Sequence, residues 1–162
     1  MSSYNKKTIA DLIDGNLSWL ETKEIISNAK DPDRFDKVLA ILQERVSWAE
    51  RILLPLAEHL YIIKKGNERI VKCDCGHEFG DYRRNWKENS AVYVRDSAAA
   101  LEELYRPFEH CHPDWMELRE FYCPGCYTLL EVEACPPGYP VQFDFLPDLE
   151  AFYERVLGRP LP

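Results

Sequence analysis

Two pairs of cysteines are the residues whose types and spacing best suit chemistry, and that chemistry is metal binding. Cys123-Pro124-Gly125-Cys126 places two thiolates at a spacing that lets both bind one tetrahedral ion, and Pro-Gly makes the tight turn between them. A structural site needs further ligands, so a second pair is required. That pair is Cys73 and Cys75, followed by Gly76, where the backbone can turn sharply. The sequence therefore predicts one closed zinc site with four ligands: Cys73, Cys75, Cys123 and Cys126.

Several alternatives stay open at the level of sequence. The first pair is C-x-C and not the commoner C-x2-C, and His77 is near enough to replace one thiolate. The sulfurs could also be buried as small apolar groups. Spacing does not separate zinc from the iron of a rubredoxin-like electron-transfer protein. A thioredoxin-like redox role is disfavoured, because residues 127–132 continue the chain as a strand and not as a helix.

No other group of residues points to an active site. The sequence has no glycine-rich phosphate loop, no G-x-S-x-G and no H-E-x-x-H. His110-Cys111-His112 is a further cluster of ligand types, but neighbouring side chains in an extended loop point in different directions. Four thiolates around one ion leave no coordination position for a substrate. We therefore expect the zinc to stabilise the fold, and we expect no catalytic residues in this chain.

The composition predicts a folded protein whose partners are neither nucleic acids nor membranes. The chain has 162 residues, of which 46% are hydrophobic, enough for one domain with a real core. The net charge of −8 disfavours a stand-alone zinc ribbon that binds nucleic acid, since such a protein presents a basic face to phosphates. No apolar run reaches the roughly 20 residues that span a bilayer. The start of the sequence also lacks the apolar core of a signal peptide. We expect a cytoplasmic protein, in which six cysteines serve as metal ligands and free thiols.

Three parts of the chain position the cysteines, and together they predict an α+β fold. Residues 1–58 form an N-terminal helical arm. Residues 59–135 form a small antiparallel, zinc-ribbon-like β core, and residues 136–162 form a proline-rich connector and a C-terminal helix.

Start signals and apolar spacing predict the helices, which lie at residues 5–14, 18–28, 31–46, 97–105 and 147–157. The second helix opens with a capping box of Ser18 and Glu21, and the third with Asp31 followed by proline. Ser47 and Glu50 repeat the capping-box pattern and predict a further short helix before Pro55.

Short β-branched and aromatic runs predict the strands, which lie at residues 60–63, 70–72, 91–95, 115–122 and 129–134. The first two strands are joined through Gly66 as a hairpin. Both cysteine pairs are entered from a strand, so we expect a ribbon of antiparallel strands that zinc holds at one end.

Motifs in order along nearly the whole chain match one family. They are Asp31-Pro32-Asp33-Arg34-Phe35, Ile41-Leu42-Gln43-Glu44-Arg45-Val46, Ile52-Leu53-Leu54-Pro55-Leu56, Cys73-Asp74-Cys75-Gly76-His77, Asn85-Trp86-Lys87, Val94-Arg95-Asp96, Phe121-Tyr122-Cys123-Pro124-Gly125-Cys126 and Asp148-Leu149-Glu150-Ala151-Phe152-Tyr153. On these motifs the chain resembles the small γ subunit of the acetone carboxylase family, which includes acetophenone carboxylase.

The resemblance implies a role in a cytoplasmic bacterial ligase that carboxylates a ketone with ATP and bicarbonate, without biotin, to a 3-oxo acid. It implies that larger hydantoinase-like α and β subunits carry the ATP, a divalent metal and the substrate. The γ subunit is then a non-catalytic member of the hetero-oligomer that helps to hold the larger subunits together. The zinc cysteines of the family correspond to Cys73, Cys75, Cys123 and Cys126.

The two flanks of the β core are expected to bind those partners. Short helices are marginal in water unless their apolar side is buried. The N-terminal arm bears Trp19, Phe35 and Trp48, and the C-terminal helix bears Phe152 and Tyr153. We expect one small sheet to offer too little surface to cover them all.

Overall fold

Helices lead into two antiparallel sheets, and a short helix follows them. The computed structural model describes residues 4–162. The helices and strands, in chain order, are α1 (Lys6–Ile13), α2 (Trp19–Ser27), α3 (Arg34–Arg45), β1 (Arg51–Ala57), β2 (Leu60–Lys65), β3 (Glu68–Cys73), β4 (Glu78–Asp81), a 3-10 turn (Trp86–Asn89), β5 (Ala91–Arg95), α4 (Ala98–Leu101), β6 (Glu117–Tyr122), β7 (Leu129–Cys135) and α5 (Leu149–Ala151), which continues as a π-helical turn (Phe152–Val156). Within these residues, no helix has both the length and the apolar character needed to cross a bilayer. The mixture of helices and antiparallel sheets confirms the α+β fold class.

The first two helices begin as the sequence predicts. Asn5 caps α1, because its side chain accepts the Thr8 N–H at 2.8 Å. Ser18 and Glu21 form the capping box of α2: the Ser18 N–H donates to the Glu21 carboxylate at 2.9 Å, and the Glu21 N–H donates to the Ser18 hydroxyl at 3.4 Å. These bonds satisfy donors that the first turn of a helix leaves unpaired. The helices predicted at residues 5–14 and 18–28 are confirmed.

The third helix is also confirmed, but it begins two residues later than predicted. Its N-cap is Asp33, and the side chain of Asp33 makes no capping hydrogen bond. The carboxylate of Asp31 instead accepts the Tyr4 N–H at 3.1 Å and the Arg34 guanidinium at 2.9 Å. Asp31 therefore ties the start of the chain to the start of α3.

The short helix predicted after Ser47 is wrong, because residues 51–57 form the edge strand β1. The Glu50 carboxylate does not cap a helix; it accepts the Lys72 ammonium at 2.7 Å. The Glu50 carbonyl accepts the Gln43 side chain at 3.2 Å, which ends the preceding helix. Pro55 is tolerated in β1 because the strand lies at a sheet edge and is irregular there.

The first sheet packs on the third helix. Strands β1 to β4 are hydrogen-bonded in chain order, and β2 and β3 form the predicted hairpin through Gly66, whose φ is 61°. The side chains of Tyr61, Ile63 and Ile70 lie in a buried cluster with Leu39 of α3. This apolar contact fixes the N-terminal arm against the sheet.

A second sheet holds the remaining strands, where the sequence predicts a single ribbon. Its order is β5-β6-β7, and all its pairs are antiparallel. The two sheets share one buried core, made by Leu60, Ile62, Val71, Cys73, Phe79, Tyr82, Trp86, Phe121, Cys123 and Leu149. One cysteine of each pair lies in this shared core.

The predicted strands are confirmed, whereas the helix predicted at residues 97–105 is shortened to α4. The division of the chain at residues 58 and 135 stays a prediction.

The C-terminal helix packs on the protein's own core. This contradicts the expectation that Tyr153 is covered only by a partner subunit. Tyr153 is fully buried, and its hydroxyl donates to the Leu53 carbonyl at 2.8 Å. Phe152 meets the Phe35 ring edge-on, with 5.1 Å between centroids. The helix ends before Gly158, which adopts a φ of 66° as the predicted C-terminal cap. Residues of α3 and β1 therefore cover Phe152 and Tyr153, whereas Val156 stays 69% exposed.

A buried lysine holds the proline-rich connector against the second sheet. Lys87 is only 2% exposed, and its ammonium contacts three carboxylates. It lies 2.6 Å from both Glu131 and Glu133 of β7, and it also bonds Asp144 of the connector. These carboxylates raise the pKa of Lys87 despite its burial, which by itself lowers that pKa.

Replacing Lys87 should destabilise the fold in a pH-dependent way. In Lys87→Met, three carboxylates face one another without a cation, and removing one member of a buried ion network costs about 3–5 kcal/mol. Repulsion raises the pKa values of these carboxyls above their unfolded values, so the variant loses stability as pH rises from about 4 to 7. Urea unfolding of both proteins at pH 4 and pH 7 measures this. Lys23→Met, at an exposed position of α2, is the control and should change little. A deficit that is equal at both pH values would contradict this account.

Candidate metal centre

The ends of two strands bring the cysteine pairs together. β3 ends at Cys73, and β6 ends at Tyr122, one residue before Cys123. In the first pair the backbone reverses at Gly76, whose φ is 95°. The Gly76 N–H donates to the Cys73 carbonyl at 2.9 Å, and the Cys73 N–H donates to the His77 carbonyl at 2.9 Å. We call residues 73–77 the first knuckle.

The second knuckle, residues 123–126, has a similar turn. The Tyr127 N–H donates to the Cys123 carbonyl at 2.8 Å, and the Cys123 N–H donates to the Thr128 carbonyl at 3.0 Å. Tyr127 has a φ of 58°, a left-handed conformation that is uncommon outside glycine. The turn fixes both sulfurs of this knuckle on the side that faces the first one.

The four sulfur atoms form a compact cluster of the size that a tetrahedral ion requires. Cys73 Sγ lies 3.8 Å from Cys126 Sγ, and Cys75 Sγ lies 3.6 Å from Cys123 Sγ. All four Sγ atoms lie within 4.8 Å of one another. A Zn–S bond of about 2.3 Å places tetrahedral sulfurs about 3.8 Å apart, so the donor set fits zinc in both chemistry and spacing.

The two members of each knuckle differ in burial. Cys73 and Cys123 are fully buried, whereas Cys75 and Cys126 are exposed. Burial raises the pKa of the Cys73 thiol and of the Cys123 thiol. Cys126 Sγ lies 3.2 Å from the Thr128 hydroxyl, and the hydrogen bond between them lowers the pKa of Cys126 to about 7. A bound cation would compensate the buried thiolate charge that the protein alone disfavours.

Neighbouring side chains hold the first knuckle in place. The Trp48 indole N–H donates to the carbonyls of Cys73 and Asp74, at 3.2 and 3.1 Å. His59 Nδ1 lies 2.5 Å from the Asp74 carboxylate, and the Asp74 N–H donates to the His59 carbonyl at 3.1 Å. These contacts satisfy backbone groups next to the sulfurs, as the surroundings of structural metal sites do. Sequence reasoning assigned neither Trp48 nor His59 to the site, since both are distant from it along the chain.

His77 lies beside the cluster but outside it. Its ring packs edge-on against Phe79, with 5.0 Å between centroids. Among the described residues, the ligand atoms that gather here are the four cysteine sulfurs alone. The geometry therefore favours the four-cysteine ligand set over a set that includes His77.

The other sequence candidates do not form a metal cluster in the described part of the chain. His110 lies 3.8 Å from Glu102, and the ring of His112 lies 3.6 Å from Asp114. A second group of ligand-type atoms, which the sequence analysis missed, consists of Glu131, Glu133 and Asp144. The Lys87 ammonium already binds all three carboxylates, so this group needs no ion. Alternating acidic residues on β7 were its only signal in the sequence.

A close approach at Gly125 leads to a direct test of the packing between the knuckles. A Cβ atom added there would lie 3.0 Å from His77 Cβ and 3.2 Å from Cys75 Sγ. Gly125→Ala should push the knuckles apart and destabilise the metal-loaded protein by about 1–3 kcal/mol, the usual effect of overpacking. Thermal unfolding and competition with a metal chelator measure the loss. Unchanged unfolding and unchanged metal affinity would show that the knuckles do not pack in this way.

Comparison with known proteins places the chain in a family. The family model described as "Acetone carboxylase gamma subunit" matches residues 46–157, which include both knuckles. The acetone carboxylase gamma subunit of Xanthobacter autotrophicus is 43% identical over 162 residues, covering 99% of this chain and 96% of that protein. The acetophenone carboxylase beta subunit of Aromatoleum aromaticum is 29% identical over 118 residues, covering 71% of this chain and 84% of that protein. These matches confirm the resemblance seen in the sequence: the chain belongs to the acetone carboxylase gamma subunit family.

Proposed function

We propose that this chain is the zinc-binding, non-catalytic γ subunit of an ATP-dependent, biotin-independent ketone carboxylase. In this role it holds together larger, hydantoinase-like α and β subunits, which carry ATP, a divalent metal and the substrate. The complex forms a 3-oxo acid from a ketone and bicarbonate. The names of the two relatives, both subunits of ketone carboxylases, support the assignment to such a complex.

The observation that carries the zinc assignment is the cluster of four sulfurs within 4.8 Å of one another. The ligands would be Cys73, Cys75, Cys123 and Cys126. When bound there, zinc supplies a cross-link between β3 and β6 and a positive charge for the buried thiolates. Four protein ligands complete a tetrahedron, which supports a structural role for the ion.

One polar groove of the described chain has its cations already paired with carboxylates. This groove of about 680 Å³ runs along β3 and β4. Each of its cations is already paired with a carboxylate: Lys65 with Glu78, Arg69 with Glu150, and Arg83 with Asp81. A site for an anionic nucleotide or for bicarbonate would need cations that are free to bind it.

The state of the cysteines supports a cytoplasmic location. All six are free thiols in the described structure. Proteins of reducing compartments keep cysteines as thiols and metal ligands, whereas secreted proteins usually join them in disulfides.

Metal analysis of the purified chain tests the zinc assignment. About one zinc per chain is expected, and Cys123→Ser should lose it because only three thiolates remain. Cys111→Ser is the matched control: Cys111 is exposed, lies outside the cluster and should leave the metal content unchanged. A red protein with visible absorption would reveal iron in place of zinc. A Cys123→Ser variant that keeps both its zinc and its thermal transition would place the metal elsewhere.

Co-expression with the two larger carboxylase subunits tests the assembly role. A tag on this chain should recover both larger subunits in a fixed ratio, together with ATP-dependent carboxylation of a ketone. The larger subunits expressed without this chain should fail to form the same complex. A chain that purifies alone from that co-expression would overturn the proposed function.

A further inference from the structure

The three-stranded sheet has one face that the core covers along β6, although Val92 and Val94 of β5 stay 46% and 37% exposed there, and one open face. On the covered face, Phe121 is fully buried and packs edge-on against Trp86, with 6.3 Å between ring centroids. The next residue along β6, Tyr122, points to the opposite side, because side chains alternate along a strand. The open side, which we call the outer face, carries four large side chains: Tyr93, Tyr122, Leu129 and Val132.

The members of the outer face are neighbours across the strands. Tyr122 lies opposite Leu129, while Tyr93 and Val132 both lie opposite Glu120. Exposure is 42% for Tyr93, 45% for Leu129 and 47% for Val132. Contiguous apolar side chains that stay half-exposed on a sheet are typical of a protein–protein interface.

The carboxylate at the centre of this face, that of Glu120, is already buried and hydrogen-bonded in the isolated chain. Glu120 is 4% exposed, and its carboxylate accepts Arg95 Nε and the Tyr122 hydroxyl, each at 2.6 Å. Arg95 also donates to the Ala100 carbonyl at 2.8 Å. These bonds hold the pKa of Glu120 below its usual range. A partner that covers the face therefore does not have to remove water from an unpaired charge. Removing that water is the main free-energy cost of burying a charged group.

The loop of residues 102–116 adjoins the outer face and carries exposed acidic groups. A cavity of about 220 Å³ joins the loop to the sheet and is lined by Tyr105, Met116 and Leu118, among others. The side chains of Glu102, Glu103 and Asp114 are 42%, 59% and 83% exposed. Apolar groups lie among them: Phe108 is 99% exposed and Trp115 is 79% exposed.

The negative charge of the loop distinguishes between two possible partners of the outer face. A second copy of the chain would bring one acidic loop towards another, and each copy carries a net charge of −8. Like charges facing each other across an interface oppose association, whereas a basic rim on the partner favours it. We propose that the outer face binds one of the larger carboxylase subunits, through a partner surface that is apolar at its centre and basic at its rim. This proposal rests on the proposed function, since it takes the larger subunits as partners.

A lysine placed on the outer face tests the proposal in the co-expressed complex. Val132→Lys and, separately, Leu129→Lys should weaken co-purification of the larger subunits at least about tenfold, because each would bury an unpaired ammonium in the interface. Asn67→Lys is the control: Asn67 is exposed in the hairpin turn between β2 and β3, outside this face and outside both flanks, and its replacement should leave assembly unchanged. Equal metal content and equal thermal unfolding of the isolated variants will show that the fold is intact.

Charge reversal on the loop provides a second, independent measurement. Asp114→Lys should slow association with the larger subunits and reduce the dependence of the association rate on salt, since rim charges act mainly on encounter. Stopped-flow or surface-binding kinetics at low and high ionic strength give both quantities. An association rate that does not respond to Asp114→Lys would contradict the basic rim.

The outcomes separate this proposal from the proposed function. If the wild-type chain and Asn67→Lys both fail to recover the larger subunits, the proposed function is wrong. If both recover them and the two outer-face variants do so equally well, the outer face is not the interface. If the outer-face variants instead abolish a dimer of this chain and leave the complex intact, the occupant is a second copy and the proposal is overturned.

Discussion

Two fully buried cysteines, Cys73 and Cys123, lie where the two sheets meet, and the rest of the fold depends on how their sulfurs are held. Burial raises the pKa of both thiols, so the protein alone disfavours their charged forms. A divalent cation bound to the four cysteines, as we propose, would reverse that preference and join β3 to β6. No ladder of backbone hydrogen bonds joins these two strands, since they belong to different sheets.

The remaining contacts arrange the helices around this junction. Trp48 bonds the backbone of the first knuckle, and it lies directly between α3 and β1. The C-terminal helix fills the opposite side of the shared core with Leu149, which is fully buried. Lys87 then fixes the connector between these regions. Both flanks are therefore anchored on the cysteine-bearing core, although they are far from the knuckles in sequence.

Sequence patterns predicted the structure correctly where the residues that contact each other are also close together in the sequence. The capping box of Ser18 and Glu21 formed because both residues belong to one helical turn. The same pattern at Ser47 and Glu50 failed, because Lys72 on β3 takes the Glu50 carboxylate and β1 pairs with β2. The clustering of the four sulfurs followed from spacing and ligand chemistry. The contacts of Lys87, Trp48 and His59 did not follow, since each joins residues that only the folded chain brings together.

The strand β6 connects the two parts of the molecule to which we assign roles. Glu120, Tyr122 and Cys123 are close neighbours along the chain: the first two shape the outer face, and the third is a proposed zinc ligand. Alternation along the strand sends Tyr122 outward, while the knuckle turns Cys123 inward to the shared core. The same strand therefore carries a ligand of the zinc site that we propose and a side chain of the surface that we propose for a carboxylase subunit, so the two proposals depend on one element of the fold.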